Sequence, residues 1–149
     1  MRLEDEIQQY TFKNEYHKLS INLMLTGSWL NQLIKNWLDP FGLTKQQFNI
    51  LRILRGQYPE PAKVSLLAER MLDKMSNASR LVEKLRIKGL VERTGCEHDR
   101  RAVDVKITQA GLDLLDRIDA TSDIYEEKFM TLSEKEARQL NRLLDKMRG

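Results

Sequence analysis

The sequence predicts a mainly α fold with a small β wing, and three observations carry that expectation. Apolar residues recur at helical spacing along most of the chain, one stretch near residue 105 alternates with a period of two, and only 7 Gly and 3 Pro interrupt 149 residues. A chain of this length suits a single domain, 1–149, that buries roughly 68–70% of its unfolded surface, so neither a cofactor nor a disulfide is needed to explain folding. With 41% hydrophobic and 32% charged residues the composition is that of a soluble, helix-rich protein and excludes long disorder.

The first helical period runs Tyr16, Leu19, Ser20, Leu23, Gly27, Leu30, Ile34, Trp37. Asp39-Pro40-Phe41-Gly42 ends it, because proline cannot continue the hydrogen-bond ladder and disfavours helical geometry in the residue before it. Thr44 opens a second helix as a capping box with Gln47, and Phe48, Ile50, Leu51 and Leu54 supply its apolar face up to Gly56. Tyr58-Pro59-Glu60-Pro61 is a stiff connector. Val64, Leu67, Ala68 and Met71 then mark a short helix that breaks near Asp73-Lys74. The next helix follows at once, burying Ala78, Leu81, Val82 and Leu85 and ending at Gly89, with Asn77, Arg80, Lys84 and Lys88 on its other face. Leu90 to Thr94 and Ala102 to Thr108 are the arms of a hairpin, the second with Val103, Val105 and Ile107 inward and Asp104 and Lys106 outward. Thr108 caps a helix whose apolar residues are Leu112, Leu115, Ile118, Ser122, Tyr125 and Phe129. The last helix starts with the box Ser133-x-x-Glu136 and is expected to bury Ala137, Leu140, Leu143, Leu144 and Met147.

Charge distribution says more than the net value of +3. Residues 62–108 hold 11 Lys/Arg against 7 Asp/Glu, whereas residues 1–61 hold 7 against 6 and residues 109–149 hold 7 against 9. A basic middle between near-neutral and acidic flanks suits a polyanion partner, and an ordinary solvated surface is the competing reading. The acidic N-terminus and the lack of any ~20-residue apolar run give no sign of a signal peptide or membrane span, so the cytoplasm is the expected compartment and no membrane partner is expected. Cys96 stands alone and cannot form an internal disulfide.

Two short, tightly joined helices followed by a hairpin with a basic tip form a winged helix-turn-helix, expected over 44–108. The second helix offers side chains that suit a DNA major groove: the small donors Ser76, Asn77 and Ser79, then Arg80 and Lys84. Arg80 is equally able to take guanine or a phosphate. Arg100 and Arg101 sit at the hairpin tip, where a narrow, electronegative minor groove attracts a guanidinium. Asp99 beside them, paired with Arg93 or holding Arg101, would stiffen that tip before binding.

Leu67-Ala68-Glu69, Ser79-Arg80-Leu81-Val82-Glu83-Lys84-Leu85, Lys88-Gly89-Leu90-Val91-Glu92-Arg93, Asp99-Arg100-Arg101 and Ile107-Thr108-x-x-Gly111 together resemble the MarR family of bacterial transcription regulators. The resemblance is detailed from about Leu43 to Leu115. It implies a homodimer whose N- and C-terminal helices, 10–38 and 109–149, interlock and set one winged helix per subunit on successive major grooves of a pseudopalindromic operator in double-stranded DNA. It further implies that Ser76, Asn77, Ser79 and Arg80 face the major groove, that Arg101 enters the minor groove, and that Asp99 is the wing's internal salt-bridge partner. Two departures stand out: the turn Leu72-Asp73-Lys74-Met75 has no glycine, and Lys63 occupies a position where a capping Thr or Ser is common.

The residues alone also suggest a dimer, since the long first helix carries Trp29 and Trp37 and the last helix is strongly amphipathic, so both stripes need cover, from a second subunit or from packing within the chain. Catalysis finds no support. There is no glycine-rich phosphate loop, no zinc-spaced Cys/His cluster and only two histidines, His17 and His98, so no enzyme, metal or cofactor is expected, and Cys96-Glu97-His98-Asp99 on a wing tip is a poor metal site. Two functional readings remain. In one the chain is a regulator, in the sense of a repressor, tuned by a small effector for which Trp29, Trp37, Phe41 and Phe48 are candidate pocket residues, with core packing as their alternative role. In the other it is a winged helix used for protein interaction.

Overall fold

The computed structural model describes residues 1–149 except 96, 97 and 99–101. It divides into two compact units, Met1–Trp37 and Leu38–Gly149. The first contains the five-residue helix α1 (Leu3–Ile7) and most of α2 (Glu15–Leu38), one residue longer at each end than the apolar period indicates. Asn14 begins α2 by accepting the His17 N–H at 2.9 Å. Alongside, the Glu4 carboxylate accepts from Lys18 Nζ at 2.5 Å while Arg2 lies 3.4 Å away. The ammonium hydrogen bond, aided by the backbone N–H of Glu4 itself, holds this carboxyl down to about 2.

In the second unit Pro40 closes a 3₁₀ turn, Asp39–Phe41, and Gly42 takes the left-handed conformation at φ 69° that allows its N–H to reach Asp39 O. Thr44 and Gln47 form the expected capping box of α3 (Lys45–Gln57), whose Ile50, Leu51 and Leu54 are at most 1% exposed. Then come β1 (Ala62–Lys63), α4 (Val64–Arg70), α5 (Ala78–Ile87), β2 (Val91–Thr94) and β3 (Asp104–Ile107). The wing is a three-stranded antiparallel sheet of order β1-β3-β2, one strand more than the hairpin expected. β1 spans two residues, too few to show a period, and pairs Ala62 with Val105. It also explains how α4 starts without a capping side chain at Lys63: the Val64 N–H donates to Val103 O at 3.2 Å. Val105 is fully buried and Val103 and Ile107 nearly so, with Lys106 outward, as the period of two requires.

α5 ends in a Schellman arrangement. Gly89, at φ 74°, donates to Arg86 O and Leu90 donates to Leu85 O. Thr108 then links this cap to the next helix, its hydroxyl donating to Gly89 O at 2.8 Å and accepting the Gly111 N–H of α6 (Gln109–Asp119). A β-carbon on Gly111 would stand 2.5 Å from Leu90 O and 2.6 Å from Ile107 Cγ1, which gives the Ile-Thr-x-x-Gly sequence a packing reason. α6 lies against α3, with Leu115 and Ile118 fully buried, and Arg55 ties the two helices by an ion pair to Asp119 at 2.5 Å.

Two expectations are corrected. The helix begun at Thr108 does not run through Phe129: it stops at Asp119, and α7 (Ser122–Glu126) and a 3₁₀ turn, Glu127–Phe129, follow. The Thr121 hydroxyl and N–H both donate to Ile118 O, at 2.7 and 2.9 Å, closing a tight turn where the helix would otherwise continue. The last helix, α8 (Glu134–Arg148), forms with its capping box as expected, but none of its residues is fully buried, Ala137 and Leu144 being half-buried. Leu140, Leu143 and Met147 are 46%, 51% and 50% exposed.

Candidate nucleic-acid interface

α4, its turn and α5 pack against each other and against α3, leaving one face of α5 to solvent beside the wing. Val82 and Leu85, at most 1% exposed, anchor the other face, and Leu81 is half-buried where full burial is expected from the period. Asn77 is the N-cap, its Oδ1 accepting the Arg80 N–H at 3.1 Å, so one of its groove-reading atoms is already engaged in starting the helix. The Ser76 hydroxyl is shielded from solvent and has no hydrogen-bond partner of ordinary geometry. Ser79 is half-buried, and Arg80 and Lys84 are exposed. Among the described residues neither Arg80 nor Lys84 has an ion-pair partner, which leaves both cations available to an external anion.

Lys88 belongs elsewhere. Its ammonium donates to Gly42 O at 2.5 Å and to Gln47 Oε1 at 3.2 Å, so it braces the end of α5 against the start of α3 and is not part of the outward stripe. Glu83 is the central carboxylate of the face. It accepts two hydrogen bonds from Arg86, at 3.0 and 2.7 Å, and pairs with Arg93 of β2 at 2.8 Å. The Arg86 guanidinium is held above its ordinary value by that carboxylate. Arg93, the expected partner of Asp99, is therefore joined to α5, tying the base of the wing to the helix beside it. Asp99, Arg100, Arg101 and Cys96 lie outside the described residues.

Between α5 and the sheet is a cleft of about 540 Å³ whose lining includes Asn77, Arg80, Lys84 and Arg93 as well as Val64 and Val103. Among the described lining residues, three cations stand against the carboxylate of Glu83, which favours an anion such as a phosphate. The aromatic candidates fall in different surroundings. In the first unit Trp29, 46% exposed, borders a cleft of about 200 Å³ with Leu3, Leu25 and Thr26, and Trp37 is half-buried. In the second, Phe48 is 8% exposed under the Arg52 guanidinium, and Phe41 is half-buried with Arg117 5.8 Å from its ring centre. Phe48 thus has a packing role.

Two short helices across a tight turn, a half-exposed second helix and an adjoining sheet define a winged helix-turn-helix protein. Comparison makes this particular. Residues 41–102 match the model of the MarR family. A transcription factor of that family from Planctomyces limnophilus is 29% identical and superposes with a TM-score of 0.68 over 91% of this chain and 98% of its own. The HTH-type transcriptional repressor IacR of Pseudomonas putida is 27% identical over 85 residues, 56% of this chain, and the match spans about half (51%) of that protein's length. A mutant MarR from E. coli, solved with operator DNA, shares the fold at 24% identity and a TM-score of 0.75, over 93% of this chain and 99% of its own. Over residues 41–102 the chain is thus similar to the MarR family of transcription regulators, and the likeness in fold extends over most of its length.

Proposed function

We propose that this regulator acts as a homodimeric repressor on a pseudopalindromic operator, with α5 in the major groove and the wing tip, Asp99 to Arg101, against the minor groove. The observation that carries the reading is the pair Arg80 and Lys84, exposed and without ion-pair partners among the described residues, on a helix whose other face is anchored by the buried Val82 and Leu85. Such cations suit phosphates and guanine edges, and Ser79 and the free amide of Asn77 suit base edges at the same end of the helix. Within the wing, Asp99 is the proposed stiffening carboxylate and Arg101 the minor-groove contact.

The segments 10–38 and 109–149 are the proposed dimerisation region. Half-exposed apolar residues on α8 support this, as do Ile124, Phe129 and Leu132 before it, at 64%, 39% and 40% exposed. Two reading heads held by a two-fold axis would meet half-sites about 10 base pairs apart. A small effector that favours a mismatched head spacing would release the operator by population shift, and no resident cofactor is invoked. Among the described residues no helix is long and apolar enough to cross a membrane, which agrees with a cytoplasmic site of action.

Binding to duplex DNA from the regulator's own upstream region, titrated across a salt series with competitor DNA, tests the reading. Specific binding that resists competitor and falls steeply with salt is expected. Arg80→Ala should cost about 1–3 kcal/mol and relax base preference. Salt-insensitive or sequence-indifferent binding would overturn the operator reading in favour of a protein-interaction module.

A further inference from the structure

The turn between α4 and α5 holds two large apolar side chains in water. Leu72 is 88% exposed and Met75 93%, although Met71 immediately before them is 1% exposed. The turn itself is firmly fixed. Leu72 N–H donates to Asn49 Oδ1 at 2.9 Å, Met75 N–H donates to Asp73 Oδ1 at 3.0 Å, and Gln46 Nε2 donates to Asp73 Oδ2 at 3.4 Å. The Met75 N–H, and after it the Gln46 amide, holds the Asp73 carboxyl below its usual range. Two side chains of α3 therefore clamp the backbone that presents Leu72 and Met75. A hydrogen-bonded turn keeping such side chains exposed points to an apolar partner outside the chain.

Position identifies that partner. Met75 lies two residues before the N-cap Asn77, at the leading end of the proposed reading helix and next to Ser76, whose hydroxyl is turned out of solvent. The foremost exposed group there is thus a thioether. On the base edges of a major groove the one apolar group is the C5 methyl of thymine. We infer that Met75, flanked by Leu72, reads thymine methyls, so that the operator carries a thymine at a position set by the turn and not by Arg80. The inference rests on the operator reading above and adds a determinant of base preference to it.

The test uses the full-length protein and a duplex selected by it from random sequence, with each thymine replaced in turn by deoxyuridine. Removing a contacted methyl should weaken wild-type binding about fourfold, the worth of one buried methyl-sized group. In Met75→Ala that thymine-to-uridine difference should vanish at the same position, with thermal unfolding unchanged because the side chain is exposed. Arg80→Ala should retain the difference on weaker overall binding. Specific binding in which wild type and Met75→Ala show equal methyl dependence, or none, overturns the inference alone and leaves the turn to a protein partner. Failure of the wild type to select any sequence overturns the operator reading together with it.

Discussion

α5 and α8 are both amphipathic helices begun by a side-chain cap, Asn77 in one and the Ser133–Glu136 box in the other, yet only α5 is covered by its own chain. Leu85 on α5 is fully buried; Leu143 on α8 is 51% exposed. Helix formation is decided locally by periodicity and caps, whereas burial depends on what a fold brings opposite. α5 meets α3, α4 and β2, while the apolar stripe of α8 stays about half exposed, the surface a second subunit would occupy. The described part of the reading head is thus packed within one copy, whereas α8 is not.

The largest expected effect measures this contrast directly. Leu85→Ala should cost about 2–5 kcal/mol in denaturant unfolding, because it opens a cavity in a closed core. Leu143→Ala should cost less than about 0.5 kcal/mol in protein dilute enough to be monomeric, and should weaken self-association measured by analytical ultracentrifugation. Equal losses for the two variants at that dilution would show that α8 is covered within the chain, and the contrast would fail.

Gly111 sharpens the same comparison inside the head. Its α-hydrogens face Leu90 O and Ile107, and a methyl there would come within 2.6 Å of both. Gly111→Ala should cost about 1–3 kcal/mol by overpacking, read as a lower melting temperature, with dimer affinity retained once folded. Gly56, where an added β-carbon meets nothing within 4 Å, is the matched control.

These regions also divide what is readable from residue order. Thr44, Thr108 and Ser133 are legible as caps because a cap is a contact over three residues. The period of two exposes β3, and the basic exposed residues of α5 are visible as a stripe. β1 is too short to have a period, and the break at Thr121 is hidden because Ser122, Tyr125 and Phe129 keep helical spacing beyond it. The site is less legible than the fold. Asn77 and Ser76 have the residue types of groove readers, but one is engaged as a cap and the other has its hydroxyl shielded from solvent. Lys88 joins a corner 41 residues distant in sequence, at Gln47, and Arg93 finds Glu83 across an element boundary. The exposure of Met75 depends on Asn49 and Gln46, which nothing in the local pattern connects to the turn.

Glu83 carries a smaller effect. Its pairs with Arg86 and Arg93 are partly exposed, with side-chain exposures of 35–45%, so Glu83→Gln should change stability by no more than about 1 kcal/mol. Its effect on binding should be a change in selectivity. Two released guanidinium groups beside the α5 cleft would contact phosphates of any sequence, so competitor DNA should bind more tightly and the ratio of specific to nonspecific affinity should fall. An unchanged ratio would mean that the wing does not depend on its tie to α5.

The smallest effect separates the two helix starts by pH. The Glu136 carboxylate accepts from the Ser133 hydroxyl at 2.7 Å and from the Ser133 N–H at 2.8 Å, and these bonds lower it from its ordinary value of 4.5. A carboxylate lowered in the folded state contributes stability that is fully present above its unfolded value and is lost as pH falls through the folded one. The start of α8 should therefore loosen below about pH 4.5, whereas Asn77, which caps α5 with an amide, has nothing to titrate. In nuclear magnetic resonance spectra the Ser133 and Glu136 amides should shift together with a midpoint below 4.5 while the Arg80 amide stays in place. Glu136→Gln keeps an oxygen acceptor for Ser133 and should abolish the shift without unwinding the helix. A midpoint at or above 4.5 in the wild type would mean that the carboxylate is not held by the box, and α8 would then owe its start to the Ser133 hydroxyl alone.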